Sequence, residues 1–530
     1  MQLHHIPIFK EWLPEWLART IIFAILLTSA IGFALYANNP ESIRGYYGVE
    51  PTDVQFSIVL MYGSIASFLA LDFRTVKYFT TRKYLLAGLF LNAICYVICF
   101  YTKNWTLFLI CRFALGISCA LITSIVLNLI FPRLPSNRAR VIAYTIFYAG
   151  LQIISPLCGI YSSVLLHYFD FNFLFLGLLI LLVPIIFIVL FTMNSKSRIH
   201  KRIPLYDVDF TGYIFYTLIC LLVGYILVYG QQFNWMESPL IRTLSAITVI
   251  ILFLFVIREL TLKRPLVELR LLKTRNVVLG LLILFVFYIF KSTSGFTYGY
   301  LEHILGVDPL HTIPIWIASI LATVISMFIT SRFVLNGFSL IKIVITGFMI
   351  MGMFYIYMLY FISDTGETND FIIPICLFSI ATGVIFVPAV IFTFSEAPPK
   401  IAFNTSIIGM FSRFVGFCVT IAINNYVQLY TAATAHEKVR ESITEINPQL
   451  DLTLQNIQNS LIIQGSDAVS GNNTSDKYLS GLIHKQILSH SIRDYYDLML
   501  VALVIVIMIL ILVPDIHHVI VRLRRRILPY

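Results

Sequence analysis

Three cations of this chain stand where water is scarce. Lys291 lies inside LLILFVFYIFKSTSGFTYGY (residues 281–300), Arg112 inside RFALGISCA and Arg413 inside SRFVGF. A charge near the centre of an apolar span costs at least about 2.5 kcal/mol, so such residues usually face a wet cavity or a partner. Two kinds of chemistry suit them: meeting an anion in a wet cavity, and pairing with a partner group. Lys291 sits about 15 residues into its run, roughly 20 Å from the near end. It has no acid within ten positions on either side. Its four-carbon stem also permits snorkelling, since the far interface is about 10 Å away. Glu302, eleven residues on, shares its helical face. That is too far for a direct bond along a straight helix, so pairing requires a shared cavity or a bend near Gly295. Glu302 and His303 stand at the outer mouth, read either as coupling candidates or as solvated loop-end residues. Arg112 cannot shed its charge and must find acceptors or water.

Other chemistries find less support. The eight cysteines, at 95, 99, 111, 119, 158, 220, 376 and 418, all fall in apolar runs. They read as small buried hydrophobes, without CxxC or histidine-box spacing, and no metal site is expected. A phosphate loop of the GxxxxGK[ST] type is missing, which argues against a self-contained ATP-driven pump. Neither a GxSxG elbow nor an HExxH helix is present, so the chain is not read as an enzyme and no cofactor is expected.

The elements that must position these residues are membrane helices. Hydrophobic residues make up 58% of the chain, charged residues 12%, and the mean hydropathy is +0.86. A soluble chain carries nearer one quarter charged residues. At about 20 apolar residues per crossing, the sequence predicts fourteen spans. They lie near 17–36, 53–71, 84–101, 106–131, 139–167, 172–193, 210–230, 240–258, 277–298, 312–333, 340–362, 371–393, 402–428 and 497–514. The polar, aromatic start MQLHHIPIFKEWLPEWLART reads as the lead-in to a retained first helix and not as a cleaved signal.

The formal charge of +10 is distributed topogenically. Basic clusters occupy 74–83, 133–140, 196–202, 263–275 and the tail (Arg522, Arg524, Arg525, Arg526). The alternate connections are poor in Lys and Arg, and SDTGETND is acidic. The positive-inside rule then places both termini in the cytoplasm, which an even number of spans requires. This charge is expected to meet anionic lipid and not nucleic acid. One connection is long: residues 429–496 form a polar extracytoplasmic insert. Leu450, Leu454, Ile457 and Leu461 repeat at helical spacing, as do Leu479, Leu482, Ile483 and Ile487. GSDAVSGNNTSD between them is turn-forming, so a helical hairpin is expected.

With these features in place, the chain resembles the major facilitator superfamily in its fourteen-helix drug:proton antiporter branch. Arg112 and Gly116 match an Arg-x-x-x-Gly signature in span four. GLQIISPLCG in span five partly matches the antiporter motif through Gly150, Pro156 and Gly159, with Ser155 where glycine is usual. DFTGY (209–213) and RPLVELRLLKTRNV (264–277) look like the approach to helix seven and the helix eight–nine loop. Arg413 and Gly416 match an Arg-x-x-Gly pattern in span thirteen.

The resemblance implies an all-α fold of two six-helix bundles plus two extra helices. Their expected extents are 1–193 for the first bundle, 194–276 for the additional pair with its linkers, and 277–530 for the second bundle with its insert. Span nine then opens the second bundle and lines a central cavity. That makes Lys291 a cavity cation, meeting an anionic substrate group or pairing with Glu302, and makes Arg112 a proton-transfer or clamping group. Asp72, Arg74, Lys77, Arg82 and Lys83 fall in the cytoplasmic gating loop after span two.

Two departures stand out. The first span, IIFAILLTSAIGFALYA, lacks the acid common in this branch. Alignment on RKYLLAGL puts Lys77 and Thr80 where the loop's aspartate and glycine belong. The function implied is proton-coupled efflux of amphipathic or hydrophobic small molecules from a bacterial inner membrane. A periplasmic adaptor and an outer-membrane channel are possible partners. Import of a small organic anion on the same fold, or a non-transporting sensor or lipid-modifying role, is the alternative.

Overall fold

In the computed structural model, the described residues are 8–133, 139–199, 208–362, 366–395, 404–442 and 468–512, with isolated positions between 452 and 459. Arg138, Lys201, Arg202, the four tail arginines, Leu450, Leu454, Ile457 and Leu461 lie outside them. The side chains of Arg140 and His303 do too. The described residues are helical almost throughout. Their one β-contact is an antiparallel bridge of Phe9 with Met193, which ties the start of the chain to the end of the sixth span.

Fourteen helical stretches are long and apolar enough to cross a membrane, the number expected from the sequence. The first six are built from α1 (Glu15–Asn38), α3 (Pro51–Thr75), α4 (Thr81–Tyr101), α5 (Trp105–Ile130), the pair α6 (Ala139–Gln152) and α7 (Ile154–Tyr168), and α8 (Phe173–Thr192). A short α2 (Pro40–Tyr47) lies in the first connection. Then come α9 (Phe210–Tyr229) and α10 (Pro239–Thr261). The last six use the pair α11 (Arg275–Lys291) and α12 (Thr293–His303), then α13 (Ile313–Leu335), α14 (Leu340–Phe361), α15 (Ile372–Ser395), α16 (Asn404–Ser442) and α17 (Ala468–Leu512).

Packing divides these helices into two six-span bundles. Helix α5 packs on α1, α3 and α4, with α8 closing the group against α1 and α4. Helix α15 packs on α11, α13 and α14, with α16 and α17 completing the second group. Across the seam, α13 meets α6 and α7, α15 meets α6, and α16 meets α3. Helix α9 sits against α3 and α16, one from each bundle, and α10 packs on α9. The added pair therefore flanks the seam.

Two spans are broken, and the sequence explains both. Pro156 has no N–H to offer the Gln152 carbonyl, so span five restarts at Ile154. Span nine breaks at Ser292, three residues before the bend expected at Gly295. There Ser292, Ser294 and Thr297 hydroxyls bond backward to the carbonyls of Tyr288, Lys291 and Thr293. Such back-bonding loosens a helical turn.

Helices α16 and α17 contain 39 and 45 residues. At 1.5 Å per residue they reach roughly 60 and 70 Å, about twice the hydrocarbon core. The turn read in GSDAVSGNNTSD is helical from Ala468 onward. A helix already nucleated by its membrane span extends at little further cost, even through residues of low propensity.

Candidate functional site

A cavity of about 340 Å³ opens between the bundles and is lined from both of them. Its wall is largely aromatic and aliphatic: Phe33, Tyr62, Phe147 and Tyr148 from the first half, Tyr288, Tyr298, Trp316 and Phe386 from the second. Tyr298 stacks on Trp316 with ring centroids 3.8 Å apart, and Tyr148 meets Phe386 edge-on across the seam at 4.9 Å. Two cations, Lys291 and Arg413, enter this wall, and none of its described lining residues is Asp or Glu.

Each cation is held by the geometry of its helix. Lys291 is the last residue of α11, where the span breaks, and the negative end of a helix favours a cation. Its Nζ donates to Gln152 Oε1 at 2.5 Å and lies 5.3 Å from the Tyr288 ring centroid. Gln152 is itself the last residue of α6 before the break in span five. Both helix breaks therefore present a polar side chain to the same space, one from each bundle. Arg413, on α16, donates from Nε to the Gly409 carbonyl at 3.0 Å and faces the phenols of Tyr148, Tyr288 and Tyr62. A neutral amide and phenols leave both charges uncompensated by any carboxylate of the cavity wall. Such a space suits an amphipathic guest with an anionic head.

Arg112 is placed differently. It is fully buried on α5 and does not line the cavity. Its guanidinium lies 3.5 Å above the Tyr36 ring, and donates to Met61 Sδ at 2.8 Å, Ser57 O at 3.3 Å and Gly32 O at 3.4 Å. These groups belong to α1 and α3, so the side chain ties three helices together. Gly116, one turn on, lets α5 approach: a methyl there would overlap Ser64 and stand 2.5 Å from the Met61 carbonyl.

The other glycines of the sequence motifs also mark close helix contacts. A methyl at Gly150 would press on Leu26 and Phe23 of α1, one at Gly159 on Trp316 of α13, and one at Gly416 on the Phe285 carbonyl of α11 at 2.8 Å. Pro156 lines the cavity. Ser155, which replaces the usual glycine, bonds Asn38 at the end of α1: its carbonyl accepts from Nδ2 at 2.7 Å, and its hydroxyl donates to Oδ1 at 3.1 Å. Glu302 is exposed at the end of α12 and is not part of the cavity wall. The partner of Lys291 is Gln152.

Of the residues expected in the loop after span two, Asp72 instead sits inside α3, fully buried. Its Oδ1 accepts from the Tyr84 hydroxyl at 2.6 Å. Arg74 donates to the carbonyls of Arg264 and Pro265 at 3.1 and 2.8 Å, linking the first bundle to the segment after α10. Lys77 lies 3.5 Å over the Phe73 ring, and burial together with nearby Arg74 lowers its pKa. Arg82 hydrogen-bonds Ser195, and Lys83 is exposed.

Gln152, Tyr62, Tyr148 and Tyr288 were not singled out in the sequence. Gln152 left a usable signal, a lone amide in an apolar run. The tyrosines left none, since aromatic residues crowd every span.

Comparison with known proteins agrees with this architecture. Residues 21–420 match the sequence model of the Major Facilitator Superfamily. The chain is 22% identical over 330 residues to the multidrug export protein EmrB of Escherichia coli (strain K12), covering 59% of this chain and 60% of that protein. It is 24% identical over 320 residues to the probable multidrug resistance protein EmrY of the same organism, covering 57% and 59%. The match thus spans about 60% of the length of these relatives. Among solved structures, the peptide transporter POT in complex with sulfate superposes with a TM-score of 0.54 at 12% identity, covering 93% of this chain and 94% of that one. A POT family transporter in complex with 5-aminolevulinic acid gives 0.54 at 16% identity, covering 77% and 89%. At these identities the likeness is one of fold.

Proposed function

This chain belongs to the major facilitator superfamily, and on that premise we propose that it is a secondary active transporter that exports amphipathic small molecules, preferentially those carrying an anionic group, in exchange for protons. The two bundles rock about the central site, exposing it alternately to each side. The observation that carries this reading is the cavity wall: largely aromatic and aliphatic, with Lys291 and Arg413 as its charges and no carboxylate among its described lining residues. In a low-dielectric space a charge without a counter-ion is costly, and an anionic guest would supply one. Export is favoured by the likeness to the two E. coli proteins. Basic residues concentrated in alternate connections, and so on one side, support a multi-pass orientation in a bacterial inner membrane with both termini cytoplasmic.

The long outward extensions of α16 and α17 support one partner. They are proposed to dock a periplasmic adaptor leading to an outer-membrane channel.

The test is transport in proteoliposomes with an imposed pH gradient. The panel compares an anilinonaphthalene sulfonate with neutral and quaternary-ammonium analogues of similar size. Movement of the sulfonate in the direction opposite to proton flow, abolished when the gradient is collapsed, is expected. Transport of the cation in preference to the sulfonate would overturn the reading.

A further inference from the structure

The apolar part of the first span, residues 17–36, carries no acid, and the described cavity wall carries none either, so a proton-carrying carboxyl must stand elsewhere. Among the described residues two carboxyls are buried, Asp72 and Glu259. Glu259, on α10, accepts the Val267 N–H at 2.8 Å and lies against Gly212 of α9, apart from the cavity wall. Asp72 is placed otherwise. It lies in the last turn of α3, one turn beyond Leu69, which lines the cavity. Two side chains act on its carboxyl: Tyr84 from α4, and Ser124 from α5, which is itself part of the cavity wall.

We propose that Asp72 is the proton-carrying group of this transporter, loaded and emptied between the cavity and the turn at residues 76–80. This rests on the proton-driven reading given above. Oδ1 is occupied by the Tyr84 hydroxyl, whereas Oδ2 is buried without a hydrogen-bond partner. An ionised carboxylate with one oxygen unsatisfied in an apolar interior is costly. A carboxylic acid there costs less, because it carries no net charge into the apolar interior, and the Ser124 hydroxyl can accept from it or donate to it in either protonation state.

The neighbouring charges are engaged elsewhere. Arg74 donates to the Arg264 and Pro265 carbonyls, Lys77 covers the Phe73 ring, Asp209 below α9 pairs with Arg258, and Arg413 on α16 faces its phenols. The route out is also polar: the Tyr84 hydroxyl shares a 2.7 Å contact with Thr75 Oγ1 at the end of α3. In this arrangement Ser124 connects the proton to the substrate space, and Tyr84 with Thr75 connects it to the turn. With the cavity open outward, a proton from the extracytoplasmic side reaches Asp72 through Ser124; with the cavity open inward, Asp72 ionises and the proton leaves through Tyr84 and Thr75 to the cytoplasmic turn.

The test uses the full chain with Asp72→Asn and Asp72→Glu. In lipid nanodiscs, the wild-type-minus-Asn infrared difference should contain the C=O stretch of a protonated carboxyl that vanishes at raised pH. In proteoliposomes, Asp72→Asn should lose gradient-driven accumulation of the anilinonaphthalene sulfonate while keeping gradient-free exchange of the same dye. Retained exchange also shows that the variant is folded. Asp72→Glu should keep accumulation with a displaced pH profile. Wild-type-like accumulation by Asp72→Asn, or a difference spectrum without that band, overturns the inference alone. A wild-type protein whose transport ignores the pH gradient overturns the proton-driven reading and this inference with it.

Discussion

Arg112 and Lys291 look alike in the sequence, each a lone cation in an apolar run, yet the fold treats them in opposite ways. Arg112 is enclosed by α1, α3 and α5, with a ring face, a thioether and two carbonyls around its guanidinium. Lys291 ends at a helix break, bonded to one amide and open to the cavity. The planar guanidinium of Arg can spread its donors over several weak acceptors and so be built into a wall. An ammonium is a compact charge that remains attractive to an anion. The lesson is that a buried cation in a membrane bundle is read from its acceptors: many protein acceptors mean structure, few mean a ligand.

The sharpest attempt to break this comparison removes Arg112. Arg112→Ala deletes a large, fully enclosed side chain together with its bonds to the Ser57 and Gly32 carbonyls. Cavity formation and lost charge-assisted bonds together should cost about 3 kcal/mol or more. The expected outcome is a large fall in thermal unfolding temperature in detergent, with dye affinity unchanged in the protein that stays folded. Weakened dye binding at undiminished stability would place Arg112 in the substrate path.

Lys291→Gln should give the opposite pattern. Losing one charge-assisted contact to an anionic head corresponds to about 1.5–3 kcal/mol, or roughly 10- to 100-fold in sulfonate affinity. Stability should hold or rise, because a partly compensated charge leaves the interior. Titration of dye fluorescence beside a melting curve measures both. If affinity were unchanged, Lys291 would be a spectator.

How much of this was legible in the sequence follows from what each feature depends on. The fourteen spans are set by local composition, and all of them are present. The break in span five is legible because Pro156 removes a specific hydrogen bond. The break at Ser292 comes from hydroxyl back-bonding spread over several residues, and Gly295 was a less informative marker. The sequence singles out Lys291, but its partner Gln152 lies 139 positions away on another bundle, a juxtaposition no local pattern encodes. Asp72 looked like part of a loop because it precedes a basic run, and only the length of α3, reaching Thr75, shows it buried. Which helix face a cation occupies, and what packs there, is tertiary information.

The smallest expected effect sharpens the comparison from outside the bundles, at an ion pair that water can reach. Asp209 caps α9, accepting from the Gly212 N–H at 2.9 Å, and pairs with Arg258 of α10 at 2.8 Å. Burial alone would raise its carboxyl. The Arg258 guanidinium and the Gly212 N–H outweigh that and hold it below the usual carboxylate range. Because the folded-state pKa is depressed, the stabilisation is fully present above the ordinary aspartate value of about 3.9 and drains as pH falls through the lower folded value. Arg258 is one-third exposed, with a side-chain accessibility of 34%, so screening limits the pair to about 0.5–1 kcal/mol. Asparagine caps a helix about as well as aspartate, which makes Asp209→Asn a probe of the charge alone. It should destabilise by that small amount at pH 7, less at high salt, and by nothing once the pH is below the folded-state value. A salt-insensitive loss of several kcal/mol would mean that this pair is enclosed in the manner of Arg112, and that solvent access does not separate the structural cations from the others.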